Sequence, residues 1–164
     1  RLSRGLGDVY KRQLLERRPK LIPEEIRDLY DGIFESLTSS EFLYFWNMGT
    51  IKSANDEYLI RSGEHQKNLL LVLSGSADVE VNGKPIANLT RGTFIAEISF
   101  LSGEPASADV HVNDELFFVS WNSDRLKNLK DENPSFWMKL QHALSEDLIR
   151  KVKPQAKKDS QIED

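Results

Sequence analysis

LLLVLSGSADVEVNGKPIANLTRG, Leu69 to Gly92, decides the fold. Apolar and polar residues alternate through Ala77–Val81, the period-two pattern of a half-buried strand, and Lys84–Leu89 returns beside it. Asn82-Gly83 between them reads as a tight hairpin, because both central residues of that turn need positive φ. Leu69 to Leu73 is the longest apolar run of the chain and is the length of a strand, far short of the ~20 residues of a membrane span. Gly75 and Arg91-Gly92 turn the chain at either end.

Outward from this centre the period stays at two. Thr50 to Ala54, Glu57 to Ile60, Asn68 to Ser74, Ala106 to Val112 and Leu116 to Trp121 read as further strands. Short strands at near-regular spacing with glycine turns predict an antiparallel β-roll, jelly-roll-like, over residues 50–121. Between them lies FIAEISFLSGEPASADV, Phe94 to Val110. A strand ends there, a short helical turn starts at an acidic residue, and Gly-Glu-Pro breaks the chain before the next strand.

Helices flank the roll, so the fold class is α+β, mainly β. Residues 14–49 form an N-terminal helical arm. In it, Pro23, Glu24 and Glu25 suit a helix start, and Ile26, Leu29, Tyr30, Ile33 and Phe34 recur at helical spacing. Thr38 to Gly49 is a second helix, with Ser/Thr capping residues ahead of Glu41, a Gly49 stop and a core-facing aromatic face of Phe42, Phe45 and Trp46. Residues 122–153 return to helix. Asn122 or Ser123 caps the first, and Pro134 opens the second, with Phe136, Trp137, Leu140, Leu144, Leu148 and Val152 on one face. Pro154 is expected to end it, leaving residues 154–164 as a polar, disordered tail.

The 164 residues suit one domain with helical arms, and the formal charge of −4 with no basic stripe disfavours nucleic acid as a partner. There is no cysteine, which excludes disulfides, thiolate chemistry and Cys-based zinc sites. Residues 1–13 stand apart. SRGLGDVYKRQ, Ser3 to Gln13, is the translation of a transposase-type sequencing adapter, and the segment reads as an assembly artefact whose basic character says nothing about partners. The expectation is that the natural chain continues upstream of Leu14.

Helices, a β-roll with one short helix inside it, then two helices: this arrangement resembles the cyclic-nucleotide-binding domain. The resemblance is carried by Gly63-Glu64, Leu69 to Gly92 and the Phe94–Val110 loop, and covers roughly Leu37 to Val152. RRPKLIPEEIRDLYDGIFESL, Trp121 within FFVSWNSDRL, and EDLIRKV further resemble the Popeye-type branch and its bacterial relatives. That branch implies a domain on the cytoplasmic side of a membrane, following a few transmembrane helices.

The resemblance also implies a ligand site, carried here by the segment 94–108. Glu97 stands where the family's glutamate accepts the ribose 2′-hydroxyl. The amides of Ile98 and Ser99 stand where a short helix meets the phosphate, and Ser107 and Ala108 follow the position of the family's phosphate-pairing arginine. That position is Ala106. A hydrogen bond to a charged group contributes about 1.5–3 kcal/mol, so its loss should weaken binding by roughly ten- to a hundred-fold. Arg61, Arg91 and Arg125 are the possible substitutes. Ala96 replaces a glycine, which predicts strain if φ is positive there. The Asp-Ser-Pro-Glu signature of animal Popeye proteins, at positions 96 to 99, is also absent, since the chain reads Ala-Glu-Ile-Ser. The site residues expected are therefore Glu97, Ile98, Ser99, Ala106, Ser107 and Ala108, with Phe136 and Trp137 as a lid and cyclic AMP as the ligand implied.

The resulting reading is a regulatory cyclic-nucleotide-binding-like domain with no catalytic or metal-binding residues and no cofactor. Two alternatives stay open. One is a ligand-free interaction module on the same fold, a homodimer through Phe136, Leu140 and Leu144. The other is a cupin-like metal enzyme, which would need a close pair of histidines, a carboxylate and a third histidine, from His65, His111 and His142, to converge on one metal.

Overall fold

The computed structural model describes residues 21–163, with side chains to residue 149. The adapter-like residues 1–13 and residues 14–20 of the arm lie outside the described residues. Two helices lead: α1 (Glu24–Ile33) and α2 (Ser39–Met48). The roll follows as β1 (Thr50–Asn55), β2 (Tyr58–Ile60), β3 (Asn68–Ser74), β4 (Ala77–Val81), β5 (Lys84–Leu89) and β6 (Phe94–Ile95). After the short α3 (Glu97–Ser102) come β7 (Asp109–Val112) and β8 (Glu115–Asn122). Helices α4 (Ser123–Glu132) and α5 (Pro134–Glu163) close the chain.

Among the described residues, eight strands make two antiparallel sheets, ordered β1-β8-β3-β6 and β2-β7-β4-β5. This is the α+β jelly-roll-like architecture expected from the strand pattern. Alternation along β3 builds the layers. Leu70 and Val72 join the apolar cluster between the sheets, with Ile95, Val110, Val112, Leu116 and Phe118. Leu69 and Leu71 point the other way, into a larger cluster with Phe34, Phe42, Phe45, Trp121, Leu126, Phe136 and Leu140. The first sheet is therefore covered on both faces, which explains why β3 carries an unbroken apolar run. The hairpin at Asn82-Gly83 has φ of 53° and 77°, as its sequence requires.

Local chemistry sets the helix ends. Thr38 and Glu41 form a reciprocal capping box at α2. Asn122 caps α4 by accepting from the amides of Asp124 and Arg125. The Trp121 indole lies nearly parallel to Phe45, with centroids 4.3 Å apart, and donates to the Phe45 carbonyl at 2.8 Å. That pair welds α2 to the first sheet.

One local expectation holds for a different physical reason, and two need correction. Gly49 ends α2 at φ −80°, an ordinary extended value, so left-handed freedom is not its role. A Cβ there would collide with the Val119 side chain and come within 2.8 Å of Trp121 Nε1, so the need is close approach of the backbone. The strand predicted from Ala106 begins only at Asp109. Ala106 is instead bridged on both its amide and its carbonyl to Glu64 and Gly63, at 2.8 Å each, before the chain bends. Finally, α5 runs through Pro154 to Glu163 and does not end at the proline. Proline removes one backbone bond and crowds the carbonyl of residue 150, but Gln155, Ala156, Lys157 and Lys158 are good helix formers.

Candidate functional site

The segment 94–108 leaves the first sheet at β6 and crosses to the second at β7. Phe94 and Ile95 are fully buried and pair with Leu71 and Leu70, so the segment starts from a fixed point. Ala96 then adopts φ 61°, ψ 32°, the left-handed region that favours glycine. The reversal swings the chain into α3 and places Glu97 inside it, only 3% exposed. Gly103 closes α3 at φ 77°. The Ser99 hydroxyl donates to the Glu104 carbonyl at 2.5 Å, tying the helix to the turn that follows.

The expected site residues divide by environment. Glu97 and Ser99 are buried, whereas Ile98 is 61% exposed on the same short helix. Ser107 is exposed and Ala108 half-buried. Ala106 is buried, and its methyl belongs to the apolar cluster between the sheets. The position where the resemblance implies a cation is thus part of the core.

The three candidate arginines have distinct placements. Arg91 forks onto Asp28 with bonds of 2.8 and 2.9 Å, and donates to the carbonyls of Glu25 at 2.6 Å and Leu73 at 3.0 Å. It clamps α1 to the roll. The Arg91 hydrogen bonds hold the Asp28 carboxyl below its ordinary range, and Asp28 in turn raises the guanidinium. Arg61 lies over the Tyr58 ring, 4.0 Å from its centroid, with Nε 3.9 Å from Asp109. Tyr58 faces His111 across β2 and β7, while Val110 and Val112 point inward, so this cluster sits on the outer face of the second sheet. A hydrogen bond from Tyr58 to Glu80 keeps the phenol protonated to higher pH. Arg125 is exposed on α4, where its backbone amide serves the Asn122 cap.

Phe136 and Trp137 are both packed, 2% and 8% exposed. Phe136 meets Phe45 in the helix-side core, and Trp137 lies 6.2 Å from Phe100 of α3. That contact links the last helix to the loop helix. The homodimer alternative loses its surface, because Phe136, Leu140 and Leu144 are covered by the chain's own core. The metal alternative also fails on geometry. His111 lies 3.4 Å from Asp56 and His142 3.1 Å from Glu146, and among the described residues no group of three or more potential ligands converges. No helix among the described residues is long and apolar enough to cross a membrane.

Residues 50–133 match the family model for the cyclic nucleotide-binding domain. Popeye domain-containing protein 1 of Gallus gallus is 24% identical over 155 residues, covering 88% of this chain and 42% of that protein. The cAMP-dependent protein kinase regulatory subunit of Emericella nidulans is 29% identical over 84 residues, covering 50% of this chain and 20% of that protein. The chain therefore spans less than half the length of either relative. Among solved structures, a cyclic nucleotide-binding domain from Methylobacillus flagellatus KT superposes with a TM-score of 0.74 at 24% identity, covering 82% of this chain and 80% of that one. The cAMP-bound PfPKA-R gives 0.62 at 22% identity, covering 82% and 44%. These structural likenesses speak to the fold.

Proposed function

Because the chain belongs to the cyclic nucleotide-binding domain family, we propose that it is a regulatory, non-catalytic module of the Popeye type that senses a cyclic nucleotide through residues 94–108. The observation that carries this reading is Glu97. Its carboxyl is held inside the loop, 3% exposed, directly after a residue in the left-handed region. The family uses that position for the ribose hydroxyl. The similarity to a Popeye protein along 88% of this chain supports the branch.

In this reading Glu97 accepts the 2′-hydroxyl, and the amides of Ile98 and Ser99 receive the phosphate, with Ser107 and Ala108 beside it. Ala106 supplies packing in place of charge, so affinity is low. Ligand in the loop shifts α3, and the Phe100–Trp137 contact passes the shift to α5 as a change in population. Residues 14–49 serve as the arm, 50–121 as the sensor and 122–153 as the responding helices. The Popeye resemblance further implies transmembrane helices upstream and a cytoplasmic face, which membrane fractionation of the full natural protein tests.

Isothermal titration with cyclic AMP and cyclic GMP tests the site. The expected result is weak, saturable binding to the wild type, lowered about tenfold or more by Glu97→Gln, which keeps the shape and removes the charge. The absence of binding heat for either nucleotide at millimolar concentration, with the protein folded, would overturn the reading.

A further inference from the structure

A concavity lies where α3, α4 and α5 meet. Its volume is about 410 Å³, within the range of small-molecule sites at ~300–1,000 Å³. Phe100 and Leu101 of α3 and Trp137 of α5 give it apolar surface. Lys127 and Lys130, three residues apart on one face of α4, line it together with Asp131 and Gln141.

Two features of this lining are unspent. Neither lysine takes part in an ion pair among the described residues, although Asp131 is close in sequence to both. The Trp137 indole nitrogen is buried and has no hydrogen-bond partner, whereas the buried Trp121 indole has one. A buried donor without an acceptor is destabilising, so a small turn of the ring that offers this nitrogen to an acceptor on a ligand would be favoured. Two lysines against one aspartate leave one net positive charge. Phe100, Leu101 and the indole offer a flat apolar body its surface.

We propose that the groove between α3, α4 and α5 binds a small organic monoanion with a flat apolar body. Lys127 and Lys130 meet the anionic group, Gln141 and the Trp137 indole donate to acceptors beside it, and Asp131 accepts from a donor on the ligand. Because Phe100 and Leu101 belong to the same short helix as Glu97, an occupant of the groove holds that helix against α5. This site shares α3 with the nucleotide loop but none of the residues proposed to touch the nucleotide, and does not rest on the loop's activity.

Anilinonaphthalene sulfonate, an aromatic monoanion with one N–H, is a suitable probe, and uncharged phenylnaphthylamine is its control. The three tryptophans, Trp46, Trp121 and Trp137, would each give one indole signal in a proton–nitrogen spectrum. The expected result is saturable binding that moves the Trp137 indole signal and leaves Trp121 in place. Lys127→Gln with Lys130→Gln should weaken the sulfonate about tenfold or more while leaving the neutral control unchanged. Both lysines are exposed, so the thermal midpoint should hold. Should the double variant lose its fold, added salt on the wild type provides the same contrast, lowering sulfonate affinity and sparing the control. Glu97→Gln should bind the sulfonate as the wild type does, which separates this site from the loop. An unmoved Trp137 signal, or equal affinity for the charged and uncharged probes, would overturn the proposal.

Discussion

Ala96 is the most exacting place to test the loop. It holds φ 61° and ψ 32°, a conformation that costs an L-residue about 1–2 kcal/mol and glycine almost nothing. Ala96→Gly removes that cost. Two terms oppose the gain. Glycine loses about 0.4–1 kcal/mol more freedom on folding. The methyl packs partly against the inter-sheet core, so a fraction of the ~0.8 kcal/mol per buried carbon is forfeited. The balance is a stabilisation of up to about 1 kcal/mol, or ~2–4 °C in thermal midpoint for a chain of this size. Ala96→Val goes the other way, because a β-branched residue in this region is a strained outlier costing about 1–3 kcal/mol. Midpoints by circular dichroism should therefore order Gly at or above Ala, and Ala well above Val. Gly32, in α1, gives the inverse control. An added methyl there would meet nothing within 4 Å, so Gly32→Ala should stabilise by about 0.5–1 kcal/mol. A midpoint for Ala96→Gly several degrees below wild type, or one for Ala96→Val above it, would refute the assignment of strain to this residue.

Ala106→Arg, which would restore the family's cation, should instead overpack the inter-sheet core and cost about 1–3 kcal/mol; an unchanged midpoint with nucleotide affinity raised tenfold would show that the side chain escapes into the loop. Gly49→Ala should cost a similar amount, because the new methyl has the Val119 and Trp121 side chains in its way, and loss of near-ultraviolet tryptophan signal alongside a lower midpoint would locate the damage. The acid limb of stability should depend on Arg91. The Asp28 carboxyl is lowered in the fold, so its contribution is present above the ordinary carboxylate pKa of about 3.9 and is lost as the pH falls through the lower folded value. Arg91→Met should therefore lower the midpoint at neutral pH more than at pH ~2, and equal losses at both would remove the Asp28 pairing from the account.

The succession of strands and helices was legible in the chain because it rests on local chemistry. The hairpin at Asn82-Gly83, the Thr38–Glu41 capping box and the Asn122 cap each need only residues a few positions apart, so their geometry follows from side-chain type. The period-two alternation likewise states which residues face inward, whatever they face. The loop was legible only in outline. Glu97 and its neighbours could be aligned by resemblance, and the strain at Ala96 followed from its residue type once a positive φ was supposed.

What tertiary structure decided was where charges and glycines find their long-range partners. Arg91 could be weighed as a phosphate ligand until the fold brought Asp28 within 2.8 Å across 63 residues of sequence. Gly49 was legible as the end of α2, but only the packing of Val119 and Trp121 showed what a side chain there would strike. Lys127, Lys130, Trp137 and Phe100 carried no joint signal, because a groove between three helices has no period in one dimension. Patterns within a few residues are set by backbone sterics and local hydrogen bonds, which the chain itself encodes. Partners brought together across the sheet and helices depend on how the layers pack, and that is settled only when the apolar faces have been buried.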